Sequence, residues 1–438
     1  MAPAWVLLDR FVKPSAFEDK ESEDEGESTG CPRKYILPRL RQEVPAGMRD
    51  VKPYPQVADP PCVSLFSMAM PWKAIRVVKR VYVQCADKNL VLFYAGAGDP
   101  GSCSHGCYLI YDAIDRSLTP VHTFPYHVPG IVMLGGAAVL RHTGGGDGAY
   151  VLAELLRPFD GDLPDATLLM WLSRSPATPG DPPGQWIKED VRLPPEVCTG
   201  TEPFFSDLEF SSGESRLCWA DLFNGILFCD LATLRTPRFR FIPLPKGCSF
   251  DVGEYGRPRM DEFRTIGCVG GVIKFIDMEV YTKDGAPIDE VKLTTWTLAP
   301  DLSEWKKGPA CSVGDIWASE KFIAMGMPRL RPMCPVLSMV DKDVVCVVMT
   351  DVEVEEKNVR NFDDAGRTLK IKAQYVLDID VRRKQVLSIT QRGIESMVDP
   401  VPYLIACEFS AYLELSKDRQ TTVEGCESEE STKRMKLK

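Results

Sequence analysis

Apolar residues in this chain fall in short runs broken by glycine, proline and acidic side chains, and few stretches keep a helical period. Short apolar runs closed by turn-forming residues predict strands rather than helices. The clearest case is Leu217 to Pro245, LCWADLFNGILFCDLATLRTPRFRFIPLP. Asn224 and Gly225 sit between two apolar runs, which predicts a two-residue β-hairpin. That turn sets Leu222 opposite Leu227, Asp221 opposite Phe228, Ala220 opposite Cys229 and Trp219 opposite Asp230. Such a register predicts an indole N–H to carboxylate bond from Trp219 to Asp230, stabilising the sheet. Arg238, Phe239, Arg240 and Phe241 then alternate, so a third strand follows, stopped by Pro243 and Pro245.

The same rhythm recurs. A strand pair, an outgoing strand ending near Asp or Trp, and a proline stop can be traced over Val81–Pro125, Ile131–Pro194, Leu208–Pro245, Arg264–Trp305 and Pro335–Gln391. Corresponding positions in the outgoing strands are Asp112, Trp171, Asp230, Trp296 and Asp378, spaced by 59, 59, 66 and 82 residues. The widest interval holds a charged insert, Glu353 to Arg367. A repeated small sheet that cannot bury both faces alone predicts radial stacking, so the expected fold is all-β, an irregular β-propeller of five or six blades. A generic multi-sheet β protein is the competing reading.

The expected organisation is a strand within residues 1–12, an acidic and proline-rich variable segment over 13–61, the propeller-like domain over 62–415 and a charged tail over 416–438. The first strand, Trp5 to Val12, is placed to close the ring by pairing with the last sheet, which removes an exposed edge. The segment YLIACEFSAYLELSKD after Pro402 reads equally as a short helix or a final strand.

Composition narrows the compartment and the partners. The 438 residues carry 44% hydrophobic and 26% charged side chains with a net charge of −10, which is ordinary for a globular chain. Glu18 to Glu27 alone hold seven acidic side chains against Lys20, and such a tract reads as a solvated arm. An acidic balance argues against general nucleic-acid binding, which needs concentrated Lys and Arg. The start, MAPAWVLLDRF, lacks the basic and long apolar regions of a signal peptide. The longest apolar run, Ile131 to Leu140, is too short to cross a bilayer, so no membrane association is expected. Fifteen cysteines without a framework spacing read as small buried thiols in a reducing compartment, cytoplasm or nucleus. The basic tail Lys433 to Lys438 is a weak nuclear address.

Motifs that would carry chemistry are thin. Gly96-Ala97-Gly98-Asp99-Pro100-Gly101 matches G-x-G-x-x-G, but Pro100 and a following strand remove the helix N-terminus that dinucleotide binding requires. Cys103, His105 and Cys107 cluster, with His122, His127 and His142 nearby, yet no second cysteine pair completes a zinc site. Acidic residues such as Asp207, Glu209, Asp221 and Asp230 read first as turn caps. No catalytic, cofactor or metal residue is assigned, and no cofactor is expected.

Three passages carry a family resemblance: W-V-L-L-D-R-F-V at the N-terminus, Cys218-Trp219-Ala220-Asp221-Leu222 with Gly225-Ile226-Leu227-Phe228-Cys229-Asp230 leading to Phe241-Ile242-Pro243-Leu244-Pro245, and Phe409-Ser410-Ala411-Tyr412-Leu413. Together they resemble a plant family, expanded in grasses, known only as domain of unknown function sixteen-eighteen. The chain is also distantly similar to F-box-associated and kelch-type propellers, although no F-box helices precede the strands. The resemblance implies a plant protein with no assigned activity, and the family-motif residues Trp219, Asp221, Asn224, Gly225, Asp230, Phe241, Pro243 and Pro245 are expected to be structural. The functional expectation is a non-enzymatic protein-interaction module with an unknown protein partner. Its loops (Gly144 to Gly148, Glu353 to Arg367 and the acidic arm) would present variable surfaces. The alternative is an enzyme or small-ligand binder at the mouth of a propeller channel.

Overall fold

The computed structural model of the chain describes residues 2–17, 44–98, 106–124, 131–141, 149–158, 165–173, 184–197, 204–234, 236–248, 257–279, 287–356, 367–393 and 399–414. The acidic arm, the Gly144 to Gly148 tip, Cys103, His105, His127, His142, the centre of the 353–367 insert and the basic tail lie outside them.

The chain opens with strands β1 (Val6–Asp9), β2 (Lys13–Phe17), β3 (Lys52–Gln56) and β4 (Val63–Pro71), then a single turn of helix, α1 (Trp72–Ile75). Five antiparallel blades follow in sequence. The first is β5 (Arg80–Asp87), β6 (Leu90–Gly96), β7 (Gly106–Asp112) and β8 (Ser117–His122). The second is β9 (Ile131–Met133), β10 (Ala138–Arg141), β11 (Tyr150–Pro158), β12 (Asp165–Leu172) and β13 (Trp186–Arg192). The third is β14 (Leu208–Ser212), β15 (Arg216–Asp221), β16 (Gly225–Asp230) and β17 (Arg238–Pro243). The fourth is β18 (Arg264–Val269), β19 (Val272–Met278), β20 (Lys292–Leu298) and β21 (Trp305–Ser312). Helices α2 (Val313–Ala318) and α3 (Glu320–Ala324) lead to the fifth: β22 (Pro332–Leu337), β23 (Val344–Glu356), β24 (Arg367–Asp380) and β25 (Gln385–Gln391). The chain then adds β26 (Leu404–Cys407) and α4 (Phe409–Tyr412).

The expected propeller is therefore present, and the five repeats read from the sequence coincide with the five blades. Asp112, Trp171, Asp230, Trp296 and Asp378, the positions that mark the period, all fall in the third strand of a four-stranded meander, β9 standing outside the meander of the second blade. The innermost strands stand side by side in the order β5, β10, β14, β18, β22, β26 and back to β5, while β5 also touches β14 directly.

A sixth sheet closes the ring from both parts of the chain. β26 pairs antiparallel with β1, β1 runs parallel to β4, and β4 carries β2 and β3 at its outer part. The segment after Pro402 thus supplies both a strand and a short helix. The proline-rich region read as variable contributes β2 and β3; Pro14, Pro53 and Pro55 are tolerated there because both strands are sheet edges that need few ladder donors. The ion pair from Arg392 Nη2 to Asp9 Oδ2, at 2.6 Å and buried, ties the closing sheet to the end of the fifth blade.

The apolar core lies between blades rather than at one centre. Phe66 of β4 meets Phe93 of the first blade and Phe409 of α4, with ring centroids 5.0 and 5.3 Å apart. Trp219 packs with Leu155 and Leu168 between the second and third blades. Each sheet buries its two faces against its neighbours, which is why no blade is stable alone.

The β15–β16 hairpin differs from the two-residue turn expected at Asn224-Gly225. The β15–β16 register pairs Asp221 with Gly225, Trp219 with Leu227, and Arg216 with Asp230. The loop is therefore Leu222-Phe223-Asn224, not a two-residue turn. The Asp221 carboxylate accepts from the Phe223 and Asn224 backbone N–H groups and the Asn224 side chain, which winds the chain through one more residue. Gly225 takes φ 153°, and a Cβ there would meet the Ile242 carbonyl at 2.2 Å. Trp219 Nε1 consequently donates to Gly136 O of the second blade at 3.3 Å, while Asp230 caps the Ala232 N–H at 2.9 Å.

Candidate functional site

The six inner strands surround a central channel with two unlike ends. Around the end where the strands begin, the upstream face, Arg10, Asp261, Arg264, Pro402 and Tyr403 leave a gap of only about 20 Å³. The Arg10 guanidinium reaches across to the Val83 and Gln84 carbonyls at 2.8 and 3.2 Å and helps close the ring there. Around the end where the strands finish, the downstream face, a cavity of about 460 Å³ opens between β5, β14, β18, β22 and β26. β10 takes no part in its wall.

Arginine and aromatic groups organise the upstream face. Arg257 donates to Asp207 Oδ2 at 2.8 Å and to both Asp221 oxygens at 2.9 and 3.2 Å. Asp221 is fully buried and also accepts from Phe205 N–H, and Asp207 accepts from Leu222 N–H. Burial pushes the Asp207 carboxyl up to about 7, with Arg257 pulling it down and Asp221 pushing further up. Burial disfavours the Arg257 charge, but the two carboxylates outweigh it and hold the guanidinium firmly charged. The Arg257 guanidinium stacks 4.5 Å from the Phe223 ring and 6.0 Å from Phe205, which is 52% exposed. Two residues on, Arg259 lies 3.5 Å from the Tyr403 ring centroid and pairs with Asp261, and Tyr403 meets Phe11 edge-on at 5.5 Å. Phe205, Arg257, Arg259, Tyr403 and Phe11 form one arc.

Carboxylates set the character of the downstream end. Asp87, Glu209, Glu214 and Glu408 line the cavity against a single Lys88, with Ile266, Val336, Leu337, Leu404 and Ile405 between them. Asp87 accepts from Ser211 Oγ of the third blade and from Arg141 N–H of the second. Burial raises its proton affinity, and these donors oppose the rise. Glu408 is also raised, by burial first and then by Asp87, with Lys88 opposing. Glu209 sits at the inner end and accepts from Gly136 N–H at 2.7 Å; burial raises it, and Arg10 is the strongest opposing influence.

The family-motif residues do not line the cavity. Trp219, Asp221, Asn224, Gly225 and Asp230 shape the third blade as described. Phe241 meets Phe204 edge-on at 6.2 Å, Pro243 O accepts from Trp305 Nε1 of the fourth blade at 2.8 Å, and Pro245 O accepts from Cys248 N–H. Of the acidic residues singled out in the sequence, the fold brings Asp207 and Asp221 together on Arg257, sends Glu209 into the channel and leaves Asp230 at the end of β16, between Arg216 and Arg238. Asp87, Glu408, Gln84 and Arg257 were not anticipated; the signal available was a carboxylate at an inner-strand end, which is meaningful only once the ring is known. Gly106 and Cys107 begin β7, where Cys107 is buried, and no group of metal-binding side chains occurs among the described residues.

Residues 219–346 fit the profile of a family described as protein of unknown function (DUF1618). The chain carries a DUF1618 segment. It runs from Trp219 in β15 to Cys346 in β23 and takes in Asp221, Arg257 and Arg259. No curated protein matches the sequence. Among solved structures the chain is similar to the phage phi92 endosialidase at 12% identity and a TM-score of 0.31, covering 74% of this chain and 56% of that one. It is similar to the NanB sialidase from Streptococcus pneumoniae at 9% identity and a TM-score of 0.27, over 56% of this chain and 32% of that one. For the α-L-arabinofuranosidase from Lactobacillus brevis the figures are 10% and 0.30, over 66% and 88%. The chain thus spans about a half and a third of the two sialidases. These likenesses carry no statement about activity.

Proposed function

We propose that this DUF1618 chain is a non-enzymatic protein-interaction module of plant cells whose protein partner seats on the upstream face. The observation that carries the reading is the arc from Phe205 through Arg257, Arg259 and Tyr403 to Phe11. Phe205 and Phe11 are 52% and 38% exposed, and aromatic and arginine side chains are those on which interface energy concentrates. Both arginines are already held by Asp207, Asp221 and Asp261, so the arc is rigid and close to neutral. A partner would gain contact area there without ordering long side chains. The resemblance to a plant family supports the plant setting. The eleven described cysteines are all free and nine are buried, which supports a reducing cytoplasm or nucleus.

The test compares tagged wild type with a Phe205→Ala/Tyr403→Ala variant, purified gently from plant cells and analysed by quantitative mass spectrometry. A stoichiometric protein should accompany wild type and be lost from the variant. Equal retention by the variant, with native folding shown by circular dichroism, overturns the assignment of this face.

A further inference from the structure

The channel holds a buried acceptor that the fold does not use. Gln84 is 4% exposed, lines the cavity, and its Oε1 has no hydrogen-bond partner among the described residues. It is the extra residue of a β-bulge in β5, since Val83 pairs with Phe93 and Cys85 with Leu92. Bulges re-aim a side chain that a regular strand would point elsewhere. The space for it comes from Gly136, between β9 and β10. A Cβ at Gly136 would lie 2.1 Å from Gln84 Oε1 and 2.8 Å from Glu209 Oε2. An unused amide oxygen and a carboxylate that is 8% exposed therefore meet at the inner end of the cavity. Leaving a buried acceptor unpaired is unfavourable, and a bound donor would remove that cost.

The rest of the channel narrows the chemistry of that donor. Between the inner end and the mouth the wall is apolar, with Ile266, Val336, Leu337, Leu404 and Ile405. At the mouth Asp87 and Glu408 form a second acidic station. Gln84 and Asp87 are three residues apart on β5, about 10 Å at the rise of a strand. Even with Arg10 at the inner end and Lys88 at the mouth, the lining carboxylates outnumber the cations. The volume of about 460 Å³ lies within the ordinary range for small-molecule sites.

We propose that the channel binds a slender aliphatic polyamine, entering from the downstream face. One terminal ammonium group sits on Gln84 Oε1 and the Glu209 carboxylate, and the next along the chain on Asp87 and Glu408. The methylenes between these two lie on the apolar wall, and any further ammonium extends through the mouth into solvent. This site is separate from the upstream face and does not depend on a protein partner.

The experiment is isothermal titration of the full chain with spermidine, in parallel with glucose as a neutral polyol. Wild type should bind spermidine saturably at one site. Glu209→Gln and Gln84→Leu should each weaken it about tenfold or more, the scale of a lost hydrogen bond to a charged group. Glu408→Gln, nearer to water, should weaken it less, by about threefold, and Phe205→Ala should leave it unchanged. Absence of saturable binding, or affinity that is unchanged in both Glu209→Gln and Glu408→Gln, overturns the proposal; the second result would place the amine on the acidic surface. Glucose binding as tightly as spermidine also overturns it. Should the buried variants fail to fold, Glu408→Gln combined with Glu214→Gln at the mouth decides alone: unchanged spermidine affinity refutes the site.

Discussion

The two ends of the channel are built from the same inner strands, yet charge is handled in opposite ways. Upstream, five acidic side chains are matched with arginines: Asp207 and Asp221 with Arg257, Asp261 with Arg259, Asp277 with Arg264, Asp9 with Arg392. Downstream, Asp87, Glu209, Glu214 and Glu408 line a cavity with one lysine, and part of their hydrogen bonding comes from a serine and backbone N–H groups. Paired charges can be packed shut, whereas a surplus of one sign keeps a wall hydrated and receptive. Under the two proposals, this contrast corresponds to shape recognition at the first end and electrostatic recognition at the second.

The sharpest test of the paired end is Arg257→Ala. It leaves Asp221, fully buried, without its cation, and unfolding free energy should fall by about 3–5 kcal/mol in urea titration. A loss under about 1 kcal/mol would mean that the backbone donors around Asp221 suffice, and the account of the closed end would fail. A second test lies in the wall between the first and second blades. Glu154 is wholly buried, and burial lifts its proton affinity to about 8, with a hydrogen bond from the Tyr108 phenol opposing. The folded state therefore holds a proton that the unfolded chain releases, so stability should decline as pH rises from about 4.5 to about 8. Glu154→Gln should remove this slope and gain on the order of a few kcal/mol at pH 8.5, with little change at pH 4. Parallel pH curves for wild type and variant would show that this carboxyl is not the source.

Gly136→Ala should cost about 1–3 kcal/mol by overpacking and should also weaken spermidine binding, because its methyl group takes the space at Gln84 and Glu209. Loss of stability without any change in binding would break the link between Gly136 and the channel. The smallest effect on stability is expected from Phe205→Ala, within about 0.5 kcal/mol, since the ring is largely exposed. A larger loss would make Phe205 a structural support of the arc rather than a contact surface.

The blades were legible in the sequence because each is a local meander. Strand, turn and strand are neighbours along the chain, and the residues Asp112 to Asp378 mark the third strand in all five. The β15–β16 register was misread because Asn-Gly is a strong turn signal, while the Asp221 carboxylate that reshapes the loop acts through side-chain hydrogen bonds that a pattern of apolar residues does not record. The channel was not legible at all. Gln84, Glu209 and Glu408 come from three different sheets, and Gln84 points inward only because of a bulge that nothing in RVYVQCAD announces. Glu209 was noticed as an acidic residue near a strand end, and its place in the channel depends on Gly136, which the sequence offered only as part of an apolar run.

The pairing of β1 with β26 carries a consequence for synthesis. A ribosome adding about 5–20 residues per second needs tens of seconds to pass from Asp9 to Leu404. Throughout that time Val6, Leu7 and Leu8, all fully buried in the finished ring, have no β26 partner to cover them. The nascent chain thus offers a sticky apolar strand beside five blades that are already assembling. Chaperone demand should fall in a circular permutant that joins the two ends and opens the chain within residues 357–366, because β1 and β26 would then leave the ribosome almost together.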